Sequence, residues 1–509
     1  MILARLVDEA GLEPTGLEDG ALGRWGEASV TGFAIDHRKV APGTVFGAFQ
    51  GLSANGEAFI PAAVSAGAVA VVARPEAQVD GAAHLADARP RRVFARLAAQ
   101  FFRPVPRVVV AVTGTNGKTS TVEMARQIWR LTGERAASIG TLGVTTPDGS
   151  TSTGLTTPDI VTFLSNMAGL AREGVTHVAY EASSHGLSQF RNEGLPVAAA
   201  AFTNLSRDHL DYHADMEDYF AAKMRLFSEV VDAAGTAVLW ADDRWSTRVL
   251  EVARGRGLRV LSVGEAGEDI RLLSRTAGQL GQELAVAFEG AEHRLTLPLI
   301  GAYQAANALM AAGLVLATGG EPGPVFDALG RLQPVRGRLE RAAITASGAP
   351  VYVDYAHTPD ALGAAIEALR PHLGENGRLI VVFGAGGDRD AGKRAQMGRI
   401  AAERADRVIL TDDNPRSEDP ALIRAAVLEG ARALAGPNRL REIGDRRDAI
   451  RAAIAEAQAG DIVLVAGKGH EQGQIIGSGE AMRVLPFDDV MVARECAGQL
   501  VRADGGARG

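Results

Sequence analysis

With 509 residues, 46% of them hydrophobic and 22% charged, the chain is too long for one core and reads as a globular protein of about three domains. A net charge of −8 with 5% aromatic residues argues against a nucleic-acid-binding surface, and no apolar run approaches the roughly 18 residues of a membrane span. The single cysteine, Cys496, excludes an intrachain disulfide framework and a cysteine-based metal cluster. Acids come too early in residues 1–9 for a signal peptide, so the expected compartment is the cytoplasm. Five lysines stand against 48 arginines. Arginine cannot lose its proton at ordinary pH, so lysine is retained where a compact ammonium or a reactive amine is needed. Lys118, Lys393 and Lys468 fall in glycine- or acid-rich stretches; Lys223 does not.

Residues 1–104 read as a small α/β unit, with strands at 45–49 and 68–72 and an alanine-rich helix at 61–66. Arg103-Pro104 and Pro106 form a linker, because closely spaced prolines resist helix and ladder alike. From Arg107 the alternation of a doubly wound parallel sheet begins, with strands at 108–113, 175–181, 197–203 and 236–241. Tracts near 283–298 read as antiparallel strands, 302–318 as an alanine-rich helix and 334–338 as a second linker. The remainder alternates again, with strands 350–354, 378–383, 407–411 and 461–466 and helices 360–370, 390–404, 420–435 and 446–458. The expected architecture is α/β throughout: a small unit at 1–104, a central doubly wound parallel-sheet domain at 105–334 and a Rossmann-like domain at 335–501. A glycine-rich tail follows at 502–509 and reads as frayed.

The strongest chemical signal is Gly114-Thr115-Asn116-Gly117-Lys118-Thr119-Ser120, between the apolar run 108–112 and a helix-like stretch to Leu131. A buried strand, a glycine turn and a helix start make an anion cradle. Amides and the helix dipole face a polyphosphate, lysine adds a charge, and a hydroxyl can hold Mg²⁺. The strand ending at Tyr180 leads into Glu181-Ala182-Ser183-Ser184-His185-Gly186, at the carboxyl edge where open α/β sheets bind ligands. Glu181 can approach a cation held by Thr119, or be a solvated loop acid. The next strand runs into Asp208, His209, Asp211 and His213, of which His209 and Asp208 read either as ligands or as a charge-relay pair. Zinc is disfavoured by the lack of cysteine and of a helical His-x-x-x-His spacing. On spacing alone Lys223 is a snorkelling surface lysine.

Farther along, Asn307 opens a helix, and Asp354 and His357 lie just beyond a strand, suited to ribose hydroxyls and to a phosphate or nucleophile. Thr358 and Asp360 also read as an ordinary helix start. The glycine-rich loop 384–390 lacks Gly-Lys-Thr and is weak by itself. Asp413 and Asn414 can accept from an ammonium and Arg416 offers a planar fork to a carboxylate, although a turn rich in Asp, Asn and Pro is also common structurally. Gly467 and Glu471 close the strand at 461–466, where Glu471 can hold a second ammonium.

The general phosphate-loop pattern wants a glycine where Val112 stands. The shorter form resembles the Mur ligases and their relatives the folylpolyglutamate synthetases, ATP-dependent enzymes that join an amino acid to a carboxylate. Together with Thr156-Thr157-Pro158, Glu181 to Gly186, Thr203 to His213, Asp354 to Asp360, Gly386 to Asp390, Asp413 to Arg416 and Gly467 to Glu471, the chain resembles the Mur ligase family over almost its whole length. The resemblance is greatest to the branch that adds the third amino acid in peptidoglycan synthesis. It implies ATP on Gly114, Thr115, Asn116, Gly117, Lys118, Thr119 and Ser120, with Asn307 near the adenine and Arg338 and Asp354 beside it. It implies two Mg²⁺ ions on Thr119, Glu181, His209 and Lys223, the last carbamylated by CO₂, with His357 among the catalytic groups. UDP-N-acetylmuramoyl-dipeptide would meet His37, Thr156, Thr157, Ser183, Gln189 and Arg191. meso-Diaminopimelate would meet Arg389, Asp413, Asn414, Pro415, Arg416, Gly467 and Glu471.

The chain departs from the family at Asp36-His37-Arg38, commonly Asp-Ser-Arg, and at Tyr303-Gln304, commonly Phe-Asn. The implied reaction passes through an acyl phosphate, with closure of the C-terminal domain before chemistry. The protein is expected to be a monomer without nucleic-acid or membrane partners. A folylpolyglutamate synthetase and a non-catalytic ATP-binding switch are the competing readings; the first is not expected to carry Asp413 to Arg416, and the second would release no phosphate.

Overall fold

The structure is a computed structural model and describes residues 1–12, 25–51, 55–151, 156–210, 212–278, 280–432, 434, 436 and 439–498. The chain forms two compact units, Met1–Arg271 with Leu309–Val325, and Leu272–Ala308 with Phe326–Gly509.

The first unit opens with a four-stranded parallel sheet, in the order Gly32–Ala34, Thr44–Gly47, Ala68–Ala73 and Ala83–Ala86. Neighbouring residues of a strand point to opposite faces. Val45 therefore joins Leu3, Leu6, Phe94 and Leu97 from two helices, while Phe46 packs with Ile60 and Ala63 of the Ile60–Ser65 helix on the other side. The larger sheet of this unit runs Arg259–Gly264, Val231–Trp240, Val197–Phe202, Val108–Thr113, His177–Glu181 and Ala136–Gly140, all parallel, and ends in the short antiparallel strands Gly143–Thr145 and Ser150–Thr151. Val108–Thr113 is buried along nearly its whole length, the continuous apolar run expected of a strand covered on both faces. It lies where strand order reverses, so its carboxyl end opens into the crevice of a doubly wound sheet.

The second unit contains the antiparallel pair Gly281–Phe288 and Ala291–Leu297 and a six-stranded sheet. That sheet runs Glu340–Ile344, Pro350–Asp354, Ile462–Ala466, Leu379–Phe383, Arg407–Leu410 and Leu440–Glu442, with only the first pair antiparallel. Alternation again sorts the core. Leu379, Val381 and Phe383 pack with Leu362, Ile366, Met397 and Val427 of three helices. Ile380 and Val382 pack with Ile450 and Val490 of two helices on the opposite face. The fold is thus three α/β sheets: an N-terminal parallel one, a central mixed one and a C-terminal mostly parallel one.

Several boundaries move from the sequence reading. The strand expected at 45–49 is Thr44–Gly47, the helix expected at 420–435 is Pro420–Ala431, and that at 446–458 is Arg446–Glu456. Residues 433 and 435, and the tail 502–509, lie outside the described residues. The strand Ala136–Gly140 escaped the sequence reading. Its residues, Ala-Ala-Ser-Ile-Gly, have weak strand propensity, and complete burial between neighbours decides the matter instead.

Candidate active site

In the first unit the site begins at the end of Val108–Thr113. Gly114 has φ +141° and Gly117 has φ +85°, backbone that L side chains rarely adopt. A Cβ on Gly114 would stand 2.0 Å from Thr203 Oγ1. Glycine therefore lets the loop press against the end of the neighbouring strand, whose following residues clamp it. Thr203 Oγ1 donates to Asn116 O (2.6 Å), the Asn116 amide donates to Asn204 Oδ1 (2.9 Å) and the Thr115 amide to Asn204 O (2.9 Å). This narrows the sequence reading, because the amides of Thr115 and Asn116 hold the loop itself together. The amides of the Lys118–Leu131 helix start, with its dipole, remain the anion-facing set. Lys118 Nζ donates to Gly114 O (3.1 Å) and Thr115 O (2.7 Å), so its ammonium lies over the loop.

Glu181 ends the adjacent strand, opposite Val112, and is buried. One carboxylate oxygen accepts from the Thr141 amide (2.7 Å) and the other from Thr141 Oγ1 (3.2 Å). A Cβ on Gly140 would meet that carboxylate at 2.1 Å, which explains the glycine. The alternative of a solvated loop acid is thereby set aside. Thr141 itself gave no signal in the sequence.

Lys223 lies on the Met216–Arg225 helix and is 1% exposed, not a snorkelling surface residue. Its Nζ donates to Gly114 O (2.7 Å) and sits 4.3 Å from the centroid of the Tyr219 ring. Burial, and secondarily the Lys118 ammonium, pull its pKa well below the usual lysine range, against a weaker opposing pull from Asp208. Only the free-amine form of a lysine can take up CO₂, and this environment favours that form. His209, with φ +54°, is exposed, pairs with Asp208 at 3.5 Å and packs edge-on against His185 and Tyr219. Asp211 lies outside the described residues. Among the described residues no group of three or more His, Cys, Asp or Glu side chains could hold a metal ion by itself. The oxygen donors of Thr119 and Glu181 fit instead a cation that takes most of its ligands from phosphates and water, as Mg²⁺ does.

Of the residues expected to meet the UDP-linked substrate, Thr156, Thr157, Ser183, Gln189 and Arg191 form one network in this unit, and His37 is not joined to it by any hydrogen bond among the described residues. Thr157 Oγ1 donates within reach of Glu181 O (2.8 Å) and Ser183 Oγ (2.9 Å), and Thr156 Oγ1 is 3.1 Å from Thr141 Oγ1. Arg191 donates to Thr157 O (2.9 Å) and through Nη2 to Gln189 Oε1 (2.7 Å); Gln189 Nε2 in turn donates to Tyr212 OH (3.2 Å). His37 stacks flat on Phe59 with centroids 4.3 Å apart. A cavity of about 60 Å³ is lined by Ile35, Phe49, Arg91, Asp159, Gln189 and Arg191 among others. Of these, sequence reasoning had found only the last two.

In the second unit, Gln304 Nε2 donates to Arg338 O (2.8 Å) and Asn307 Nδ2 to Gln304 Oε1 (3.3 Å), so Gln304 ties together two of the expected ATP contacts. Asp354 is buried, and burial raises its pKa against the pull of Arg338. Its two oxygens accept from the amides of Leu339 (2.7 Å) and Ala356 (2.9 Å), which fixes the turn carrying Arg338. The Arg338 guanidinium lies 4.9 Å from the Tyr355 centroid. His357 Nδ1 approaches Tyr355 O (2.8 Å), and Thr358 caps the Pro359–Leu369 helix as its sequence suggested.

The segment 413–416 and the loop 384–390 come together. A Cβ on Gly387 would meet Pro415 O at 1.9 Å, and one on Gly386 would meet Arg416 Nη1 at 3.0 Å and Arg389 Cγ at 3.8 Å. The glycine loop is therefore a lining that admits two arginines, not a second phosphate site. Arg416, at φ +53°, donates to Gly387 O (2.8 Å). Lys468, fully buried, donates to Asn414 Oδ1 (2.8 Å) and Glu471 Oε2 (3.3 Å), and Asn414 Nδ2 donates to Glu471 Oε2 (2.9 Å). Asp413 Oδ2 is buried without a hydrogen-bond partner among the described residues, beside Gly467, where a Cβ would stand 2.6 Å away. Such an orphan acceptor is costly unless something donates to it. Together these groups present a carboxylate-binding fork and an ammonium-accepting oxygen in one pocket.

Profiles of the Mur ligase middle domain and of the Mur ligase glutamate ligase domain match residues 112–315 and 337–469. A protein of Zymomonas mobilis, named UDP-N-acetylmuramoyl-L-alanyl-D-glutamate–2,6-diaminopimelate ligase, is 60% identical over 466 residues, 92% of this chain and 94% of its own. A Caulobacter vibrioides protein of the same name is 51% identical over 471 residues, 91% of this chain and 94% of its own. A solved structure described by that name superposes with a TM-score of 0.73 at 32% identity, covering 98% of this chain and 99% of that one. Mycobacterium tuberculosis folylpolyglutamate synthase bound to ADP, at 20% identity and TM-score 0.59 over 74% of this chain and 91% of its own, shares the fold.

Proposed function

Because this chain belongs to the Mur ligase family, we propose for it the reaction for which its diaminopimelate-ligase relatives are named. It is an acid–amino-acid ligase that uses ATP to add diaminopimelate to UDP-N-acetylmuramoyl-L-alanyl-D-glutamate in peptidoglycan synthesis.

The amides at the start of the Lys118–Leu131 helix and the Lys118 ammonium hold the ATP phosphates, while Thr157, Ser183, Gln189 and Arg191 orient the UDP-linked dipeptide. The glutamyl carboxylate forms a bond to the γ-phosphorus as the bridge to ADP breaks, giving an acyl phosphate. The diaminopimelate amine then attacks the acyl carbon, inorganic phosphate leaves, and the nitrogen sheds its proton. Arg416 and Arg389 grip the distal carboxylate of diaminopimelate, and Asp413, Asn414 and Glu471 receive its distal ammonium. Mg²⁺, when bound, offsets charge on the phosphate oxygens; Thr119 and Glu181 are suited to hold one ion, and His209 with a carbamate on Lys223 a second. Burial lowers the Lys223 pKa and so favours its free-amine form, the form that yields a carbamate by attack on CO₂ with loss of a proton. Since ATP and the UDP-linked substrate are cytoplasmic metabolites, the cytoplasm is the proposed site of action, with the monomer as the working form.

The observation that carries the specific reading is the pocket in which Arg416 and Arg389 flank Gly386 while Asp413 Oδ2 lacks a donor. L-Lysine has no carboxylate to offer the arginines, and a polar site left unpaired rejects such an analogue strongly. Arg416→Ala should raise the KM for diaminopimelate by about 10- to 100-fold, the worth of a charge-assisted hydrogen bond, with the KM for ATP unchanged. An unaltered diaminopimelate KM would refute the pocket assignment.

A further inference from the structure

The cavity lined by Phe49, Arg91, Asp159, Gln189 and Arg191 has an unbalanced charge. Two guanidinium groups face it, and among the described residues neither Arg91 nor Arg191 lies within ion-pair distance of a carboxylate. Arg191 is held by Thr157 O and Gln189 Oε1. Arg91 is held by Gln50 O (3.1 Å) and by the Phe49 ring, 4.7 Å from its centroid. The one acid in the lining, Asp159, is already committed. Its Oδ1 accepts from the Val161 and Thr162 amides (3.0 and 3.1 Å) and its Oδ2 from Thr162 Oγ1 (2.6 Å), capping the Ile160–Arg172 helix. Burial, and secondarily the charge of Arg191, pull the Arg91 pKa down, as expected of like charges brought together without a counter-ion. Both arginines are anchored by neutral acceptors that fix their direction; burial also lowers the Arg191 pKa against the pull of Asp159, the one acid set against two guanidinium charges.

We propose that Arg91 is a substrate-binding residue that acts with Arg191 as a two-guanidinium clamp on one oxyanion of the UDP-linked substrate, its diphosphate or a peptide carboxylate. Planar forks presented from two sides suit either anion and cannot be replaced by a lysine point charge without loss. The inference rests on the reading of this chain as a UDP-N-acetylmuramoyl-dipeptide ligase.

The test compares wild type with Arg91→Gln and Arg91→Lys. It uses steady-state kinetics for all three substrates and calorimetric binding of UDP, UDP-N-acetylmuramate and UDP-N-acetylmuramoyl-L-alanyl-D-glutamate. The clamp predicts that Arg91→Gln raises the KM for the UDP-linked dipeptide by about 10- to 100-fold, with Arg91→Lys between it and wild type. The KM for ATP and for diaminopimelate, and kcat at saturation, should not move. A loss already seen with UDP assigns the clamp to the diphosphate; a loss confined to the dipeptide ligand assigns it to a carboxylate. Wild-type KM in a folded Arg91→Gln protein would overturn the clamp while leaving the ligase reading intact. A wild-type protein that binds none of the UDP compounds would overturn both.

Discussion

At the scale of single residues, Lys223 shows most clearly what burial does. A fully buried ammonium is expensive, so burial pulls the amine's pKa well down, and the hydrogen bond from its Nζ to Gly114 O joins residues 109 apart in the chain. That separation is why spacing alone read Lys223 as a surface lysine; the scarcity of lysine and the resemblance were the only signals. Intact-mass analysis of protein prepared in bicarbonate should show the mass of one added CO₂, absent from Lys223→Ala, and Lys223→Ala should be inactive. Full activity in protein shown to be unmodified would rule the carbamate out. Lys118→Ala should lower kcat by about 10²- to 10³-fold, the scale of losing one donor aimed at developing charge, measured as phosphate release at saturating ATP. Arg91 and Thr141 carried no motif and became visible only when distant segments met.

At the scale of elements, the strand, glycine turn and helix of the phosphate loop were legible because local rules dictate all three. Their partner was not. The clamp by Thr203 and Asn204 depends on Val197–Phe202 lying beside Val108–Thr113, a matter of sheet order. Gly114→Ala tests that contact. A Cβ 2.0 Å from Thr203 Oγ1, at a φ that alanine rarely adopts, must displace the loop. The variant should lose more than about 1 kcal/mol of stability and most of its ATP affinity. Unchanged nucleotide binding by calorimetry would contradict the geometry. The glycines at 386 and 387 were a weak signal by themselves, because their use as clearance for Pro415 and Arg416 requires the neighbouring strand end to be in place.

At the scale of the whole molecule, the α/β alternation and the parallel sheets follow from apolar runs separated by helix-period segments, and these were readable. The short edge strands were not, because they have few residues and half their ladder. The second unit also hides a support that no pattern betrays. Arg446 and Asp489 form a bidentate pair with both side chains fully buried (2.6 and 2.8 Å), and Arg446 also reaches Ala466 O (3.0 Å), next to Gly467. Asp489→Ala leaves that guanidinium buried without its counter-charge and should cost about 3–5 kcal/mol in denaturant unfolding.

Burial also governs the acid response. It lowers the His470 pKa from 6.5 to about 4, helped by Arg338, and lowers that of His372 as well. The unfolded chain then binds more protons than the folded one between those pH values. The contribution of His470 is thus present above pH 6.5 and is lost as pH falls toward 4, and that of His372 is lost in the same direction. His470→Asn should flatten that part of the stability profile, and an unchanged slope would remove His470 from the account.

The central claim is that ATP is used here to join diaminopimelate to a UDP-linked dipeptide. The direct measurement incubates the protein with ATP, Mg²⁺ and UDP-N-acetylmuramoyl-L-alanyl-D-glutamate, adds either meso-diaminopimelate or L-lysine, and reads product mass alongside phosphate release. The account predicts one equivalent of phosphate per tripeptide product with diaminopimelate and little product with lysine. No mass gain with diaminopimelate, or equal gain with lysine, would contradict it.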